Sequence, residues 1–546
     1  MKKLLFVSIA TILFSITCTA QRDVVGTPYS FKHNDISYNI DQSVLPELDV
    51  DALYAEDALN IKNGTPLRIG YVHHVGYTFA NSGRTDILDD GAKLWRLSIK
   101  STDAVMLDIF FSKFNIPEGA MFHIYSADRT QLTGTYTNKD VQENGVLAAE
   151  DIIGDEAILE YYEPADAAFR GEIEIDRVSH IYRDFLHIND GSKGHIGDAE
   201  GDCHPNVACS QGDGWRNQIN SVACISISGS SGSYLCSGAM INNVRMDKTP
   251  YLLTANHCLD GTSSTFKFYF QYEGSTCSAT DGIWNRVVNG ASIKARADLN
   301  TSSDFMLLQL TGTISARIQD SLFFAGWDVT GTSSVGKAIH HPGGDIKKIS
   351  TPRMVTSPGG TSNKYWCVYW YTTTNPYMGC TEGGSSGSPL FNSNGRIIGD
   401  LSNGSSACDY LSGTDNYGKI SYSWTNNNNS SNAKKLKPWL DPDNTGTTIL
   451  DGIRYTSAVS VQDHKPVQTF NIMPNPSSGN VTIKGDFGIQ TGVCNVYNAM
   501  GMLVAAENVT LAPTFELNFS QLPEGIYFME IIGDNHIYKS KMIISK

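Results

Sequence analysis

Residues 21–195 contain no cysteine, and nowhere in the chain do two cysteines stand in a Cys-x-x-Cys pair. No histidines stand at ligand spacing either, so a zinc site is not expected, and no metal or cofactor is called for. Charge is sparse at 18% of residues, with Asp+Glu 56 exceeding Lys+Arg 41 for a net charge of −15. That acidic balance speaks against a nucleic-acid partner. Beyond the N-terminus no apolar run is long enough to cross a bilayer, and no internal repeat is evident.

The N-terminus itself reads as an export signal. Lys2 and Lys3 supply the positive region, Leu4 to Ile16 form a short apolar run, and cleavage is expected after Ala20. Once it is removed, no membrane span remains. The 546 residues are enough for three or four domains. The expected order is a signal peptide (1–20), a β-rich N-terminal region (21–195), a cysteine-rich domain (196–452), a polar connector (453–467) and a small β domain (468–546). Alternation such as Leu107-Asp108-Ile109-Phe110-Phe111 supports the β assignment of the N-terminal region. Nine cysteines fall between Cys203 and Cys408, a density that implies disulfides in an exported domain.

Chemistry concentrates in that domain. Thr254-Ala255-Asn256-His257-Cys258 is followed by Ser303-Asp304-Phe305-Met306-Leu307-Leu308, and then by Gly383-Gly384-Ser385-Ser386-Gly387-Ser388-Pro389. A serine hydroxyl is a poor nucleophile until an imidazole takes its proton, so His257 is the expected base for Ser386. Asp304 would hold the imidazole tautomer and stabilise its positive charge. The N–H groups of Gly384 and Ser386 are expected to form an oxyanion hole, in which one donor contributes about 3–4 kcal/mol. The order His, Asp, Ser is that of chymotrypsin-type serine proteases. An α/β-hydrolase is disfavoured, because the residue two after Ser386 is Ser388 and not glycine. The adjacent His340 and His341 would point to opposite faces of a strand and are read as structural.

The central segment resembles bacterial lysyl endopeptidases over roughly 250 residues. Besides the three motifs above, the likeness includes Phe324-Ala325-Gly326-Trp327-Asp328, Ala338-Ile339-His340-His341-Pro342 and Trp439-Leu440-Asp441-Pro442. The resemblance implies an all-β, two-barrel chymotrypsin-like fold, the triad His257, Asp304 and Ser386, and the disulfides Cys203–Cys408, Cys209–Cys277 and Cys236–Cys258. Cys367 and Cys380 flank a candidate hairpin and are candidates for a further pair, which would leave Cys224 buried and free. The family's specificity carboxylate maps onto Asp415, which implies cleavage after Lys or Arg. Ser402 stands where the family has a histidine beside the active site, and the family's tryptophan has no match near Pro358, so strict lysine preference is not implied.

The expected activity is therefore that of a secreted serine endopeptidase forming an acyl-enzyme, with proteins or peptides as substrates. Ser385 replaces the aspartate that precedes the nucleophile in trypsin, so activation by a freed amino terminus is not expected. Latency is assigned to the N-terminal region acting as a propeptide, with Lys193 the candidate processing site. The last 75 or so residues resemble the Ig-like sorting domain of type IX secretion. Pro474-Asn475-Pro476, Val496-Tyr497-Asn498-Ala499-Met500-Gly501 and Leu522-Pro523-Glu524-Gly525-Ile526-Tyr527 carry that likeness. It implies export through the periplasm and outer membrane by that machinery, to the cell surface or the medium. The alternative function is a catalytically silent, protease-like surface adhesin or binding protein.

Overall fold

The computed structural model describes residues 26–546 apart from 34–35, 37–39, 63–65, 141–143, 187–202, 231, 359–362, 374–376, 427, 456–466, 486–489, 499–502 and 533–536. The signal segment and Lys193 lie outside the described residues. The chain divides into two compact units, Met1–Thr456 and Ser457–Lys546.

Within the first unit, residues 26–186 form a β-sandwich. One sheet runs in the order Asp41–Val44, Lys93–Lys100, Glu156–Glu163, Met121–Ser126 and Leu132–Tyr136. The facing layer holds Leu67–Tyr77, Glu172–Ile181 and Met106–Asn115 side by side. Alternation dictates the packing: Trp95, Leu97 and Ile99 on one strand and Leu107, Ile109 and Phe111 on another point into one shared core. The helix Val50–Lys62 interrupts the β pattern. Asp49 caps its first turn through Ala52 N (3.0 Å), and its buried Asp57 ties it to Arg68, Arg183 and Tyr182.

Residues 203–456 carry the expected all-β, two-barrel fold. The first barrel orders Val287–Asn289, Lys267–Phe270, Val222–Ser228, Ser233–Met240, Tyr251–Ala255, Phe305–Leu310 and Ala291–Ala297. The second orders Lys348–Ser350, Ala338–His340, Pro389–Phe391, Ile397–Gly404, Thr414–Lys419, Tyr365–Trp370 and Pro352–Thr356. Between them lies a core that draws on both, including Leu253, Phe305 and Leu307 from the first and Ile339, Phe391 and Ile397 from the second. Short strands at the end of the unit, Ile449–Leu450 and Ile453–Arg454, pair back onto Trp327–Asp328 and Phe323–Phe324.

The sandwich and the first barrel share a sheet. Gly70, Arg68 and Leu67 pair antiparallel with Ser233, Tyr234 and Leu235.

The second unit is a separate, smaller β-sandwich. Its larger sheet orders Val467–Thr469, Ile537–Ile544, Gly525–Ile532, Gln490–Asn498 and Leu503–Leu511; the smaller orders Asn471–Met473, Asn480–Lys484 and Thr514–Asn518. Val481, Ile483, Val496, Met529 and Ile531 fill the space between the sheets. Among the described residues no helix of the chain is long and apolar enough to cross a membrane.

Candidate active site

The two barrels bring the three motifs to one place. His257 sits in a single 3-10 turn, Asn256–Cys258, that follows the strand Tyr251–Ala255. Asp304 immediately precedes Phe305–Leu310, the strand paired with Tyr251–Ala255 in the register Ala255↔Phe305. Strand pairing thus fixes His257 and Asp304 side by side. Asp304 Oδ2 lies 2.7 Å from His257 Nδ1, and Asp304 Oδ1 accepts from the His257 backbone N–H at 3.0 Å. The carboxylate is 1% exposed and the imidazole 25% exposed, so the charge is sheltered while the ring stays partly open to solvent. Asp304 adopts φ 64°, a left-handed conformation costing a non-glycine residue about 1–3 kcal/mol. Such strain concentrates at sites where a side chain must be aimed.

Ser386 comes from the second barrel, in the turn before Pro389–Phe391, and is half-buried. Its carbonyl accepts from Ser237 N at 2.8 Å, and the sulfur of Cys258, the neighbour of His257, lies 3.8 Å from the same carbonyl. His257 directs its hydrogen bonds among the described residues to Asp304 alone. In apo sites the nucleophile–base contact is often long and tightens in the substrate complex.

Two glycines make the turn possible. Gly384 has φ 90°, and a Cβ there would stand 2.8 Å from the His341 carbonyl. At Gly387, φ 78°, a Cβ would lie 2.1 Å from Thr254 Oγ1. The first contact would push the Ser386 turn off the His341–Gly344 segment of its own barrel, and the second would push it away from the first barrel. Among the described residues the N–H groups of Gly384 and Ser386 go to no protein acceptor, whereas those of Ser385, Gly387 and Ser388 do. The turn thus carries two backbone donors, one on each side of Ser385, without a protein acceptor.

Asp415 lies on Thr414–Lys419, which pairs with Ile397–Gly404 on one side and Tyr365–Trp370 on the other. Its carboxylate is 1% exposed. Asp415 Oδ2 accepts from Trp370 Nε1 (2.6 Å), Thr381 Oγ1 (2.6 Å) and Ser406 Oγ (2.5 Å), and Oδ1 accepts from Ser406 N (3.2 Å). Burial pushes the carboxyl above the ordinary range, and the Ser406, Thr381 and Trp370 donors pull it back in part. No cation pairs with it among the described residues. Thr381 and Ser406 connect this carboxylate to the segments that carry the Ser386 turn and Cys408.

The structure bridges Cys203–Cys408, Cys209–Cys277 and Cys236–Cys258. The last of these ties the His257 turn to the strand Ser233–Met240. Cys367 and Cys380 are not joined to each other: Cys380 Sγ lies 3.8 Å from Cys203 Sγ instead, against the Cys203–Cys408 bridge. The hairpin reasoning failed because Cys367 sits on a strand whose antiparallel partners are Thr356 and Asn416. Cys224 is fully buried outside any disulfide, and burial pushes its thiol up to about 12.

Several residues around the site have partners that only the structure supplies. Ser402 donates to Asp304 Oδ2 at 2.7 Å, behind the carboxylate. Ser237 spans the barrels: besides binding the Ser386 carbonyl, its hydroxyl donates to the Gly384 carbonyl at 3.0 Å. His340 is buried with Nδ1 at 2.7 Å from Ser385 Oγ and Nε2 at 2.9 Å from Ser350 Oγ. His341 is also buried, against the Asp345 carbonyl. Of these, Ser237 was the one the sequence reading missed, its adjacency to Cys236 being the available signal; Ser402, His340 and His341 were singled out there, but not the partners they meet.

A two-barrel fold with a His–Asp pair facing a serine turn is the architecture of a serine protease. Residues 196–418 match the family described as lysyl endopeptidase, C-terminal domain, and residues 471–545 match the secretion system C-terminal sorting domain. The lysyl endopeptidase of Pseudomonas aeruginosa is 27% identical over 372 residues, covering 64% of this chain and 77% of that protein. Solved structures similar to the chain include the protease Anisep from Arthrobacter nicotinovorans, 17% identical with a TM-score of 0.28, covering 37% of this chain and 91% of that one. A Glu endopeptidase is 20% identical with a TM-score of 0.27, covering 40% and 92%. The family and curated matches support a serine endopeptidase, and the sorting-domain match indicates export.

Proposed function

We propose that the chain is a secreted endopeptidase that cleaves proteins after Lys or Arg, with Ser386 as nucleophile, His257 as general base and Asp304 orienting the imidazole. The observation that carries this reading is Asp304 holding both the backbone and the ring of His257, whose neighbour Cys258 lies against the Ser386 carbonyl. Ser386 Oγ would add to the scissile carbonyl while His257 Nε2 takes its proton. The oxyanion would form against Gly384 and Ser386 N–H. His257 would then return the proton to the leaving amine, and water would hydrolyse the acyl-enzyme by the same route.

Asp415 is the proposed specificity group. A buried carboxylate with hydrogen bonds but no cation is offset by the charge of a substrate's Lys or Arg side chain. The sandwich of residues 26–186 is the proposed latency domain: Leu67, at the start of the strand that pairs with the first barrel, lies 3.6 Å from where a Cβ at Gly383 would stand, beside the oxyanion turn. The last unit is the proposed address for type IX export.

The test is digestion of a mixed peptide library by the secreted protein beside Ser386→Ala. Cuts after Lys and Arg that vanish in the variant support the reading. Failure of Ser386 to label with a fluorophosphonate in correctly matured protein would refute it.

A further inference from the structure

The first barrel contains a buried cation whose carboxylate partners both belong to the sandwich. Lys267 is 1% exposed. Its ammonium donates to Asp108 on Met106–Asn115, and to Asp151, just before Ile152–Ile153, at 2.7 Å. Tyr269, two residues along the same barrel strand, donates to Asp151 Oδ2 at 2.5 Å, and Ser228 donates to Asp108 Oδ2 at 2.8 Å. The barrel domain's other fully buried lysine, Lys347, is paired within that domain, 3.5 Å from Glu273. Lys267 differs because its charge is balanced only while the sandwich is in place.

The rest of the contact is equally specific. Ile69, Met106 and Phe185 of the sandwich share one apolar cluster with Leu235, Tyr269 and Tyr272 of the barrel. Arg177 donates to the Gly229 carbonyl at 2.8 Å, Ser179 and Ser233 hydroxyls meet at 2.7 Å, and the strand pairing runs through Leu67↔Leu235. Apolar burial supplies affinity here. The ion cluster contributes little net energy but fixes the register, since a buried charge deprived of its partner is strongly penalised.

We propose that this Lys267 face is a lasting docking surface for residues 26–186, so that cutting the 187–202 connection does not release the sandwich. Activation then has two steps, the cut and a later loss of the sandwich, for example by its own proteolysis. Only the word activation rests on the protease reading; the docking does not.

The experiment uses the full chain carrying Ser386→Ala, with a recognition sequence for an unrelated protease inserted within 187–202. After cutting, the two fragments are run on size exclusion at nanomolar concentration. They are expected to co-elute. Lys267→Met, which leaves two buried carboxylates without a cation, is expected to weaken docking at least a hundredfold and separate the peaks. Asp108→Asn/Asp151→Asn, which alters only the sandwich, should do the same. The combined triple variant, with no buried charge left in the cluster, should co-elute again, an outcome that general misfolding cannot produce. Separation of the parent fragments on cutting, or unweakened docking in Lys267→Met, would overturn the proposal. Because every arm lacks the Ser386 hydroxyl, none of these outcomes depends on whether the chain is a protease; fluorophosphonate labelling of the unmodified protein decides that separately.

Discussion

Replacing Asp415 by Asn removes one charge from the proposed specificity pocket while keeping its volume. In the wild type the carboxylate is held by Trp370, Thr381 and Ser406, and its charge has no cation among the described residues. A substrate ammonium or guanidinium seated there would form a desolvated ion pair. Losing one partner of such a pair costs about 3–5 kcal/mol. At about 1.4 kcal/mol per decade this is roughly a 10²- to 4 × 10³-fold fall in kcat/KM for Lys and Arg substrates. The new amide keeps an oxygen for Trp370 and Thr381, but its NH2 group must face Ser406 N–H, an unmatched donor pair costing about 1 kcal/mol in fold stability. Relief of the buried charge opposes that cost, so the melting temperature should change little. The assay compares ester and amide substrates with Lys, Arg, norleucine and Phe before the cut. The expected result is a loss confined to the basic pair. Equal loss on all four, or none on any, would refute the assignment of Asp415 to specificity.

Ser402→Ala deletes a hydroxyl donor to the Asp304 carboxylate; a charged hydrogen bond of about 1.5–3 kcal/mol is at stake, so kcat should fall about ten- to a hundredfold with KM nearly unchanged in steady-state kinetics. Because burial raises the Asp415 carboxyl, it takes up a proton at higher pH than an ordinary carboxylate does, and the protonated form cannot attract a cation. The ratio of kcat/KM for Lys over norleucine substrates should therefore drop as pH falls toward the carboxylate range, and should be flat with pH in Asp415→Asn. Fold stability carries the opposite sign, since the ionised buried group is the disfavoured form: raising pH through that window should cost stability in wild type but not in the variant, as read by thermal unfolding. Removing residues 468–546 should leave the protein in the periplasm, and normal secretion of the truncated chain by cell fractionation would count against the sorting role of the tail.

What the sequence made legible was whatever a short motif or a period encodes. His257, Asp304 and Ser386 each sit in a run whose residue types carry the chemistry, and the alternation at Leu107 to Phe111 reads directly as a strand with one face in a core. Partnerships across the chain were not legible. Nothing local to Ser402 announces that it will meet Asp304, 98 residues away, because that contact depends on the packing of two barrels. The helix Val50–Lys62 was missed inside a β-rich stretch, since its stability comes from the Asp57–Arg68–Arg183 cluster and not from a clear amphipathic stripe. Cys367 and Cys380 misled for the related reason that proximity in sequence does not bring two thiols together across a sheet.

The polar chain beneath Ser386 bears on how the proposed latency would work. Ser385 occupies the position where trypsin uses an aspartate to bind its new amino terminus. Here the Ser385 hydroxyl instead meets His340 Nδ1, and His340 Nε2 meets Ser350, whose hydroxyl donates to the Cys380 carbonyl at 2.8 Å. Burial holds His340 well below its ordinary value, so the imidazole is neutral and can donate from one nitrogen while accepting at the other. Glu382 adds a second brace, accepting from Cys408 N at 2.7 Å while lying 3.0 Å from His204 Nε2. All these partners lie within residues 203–408, and none requires a chain end. The Ser386 turn is therefore built as soon as the barrels fold, with the sandwich still attached. On the proposed protease reading, a precursor whose turn is already formed would be silent only if access were blocked, which would place the burden of latency on the sandwich beside Gly383 and on the Lys267 contact that holds it there.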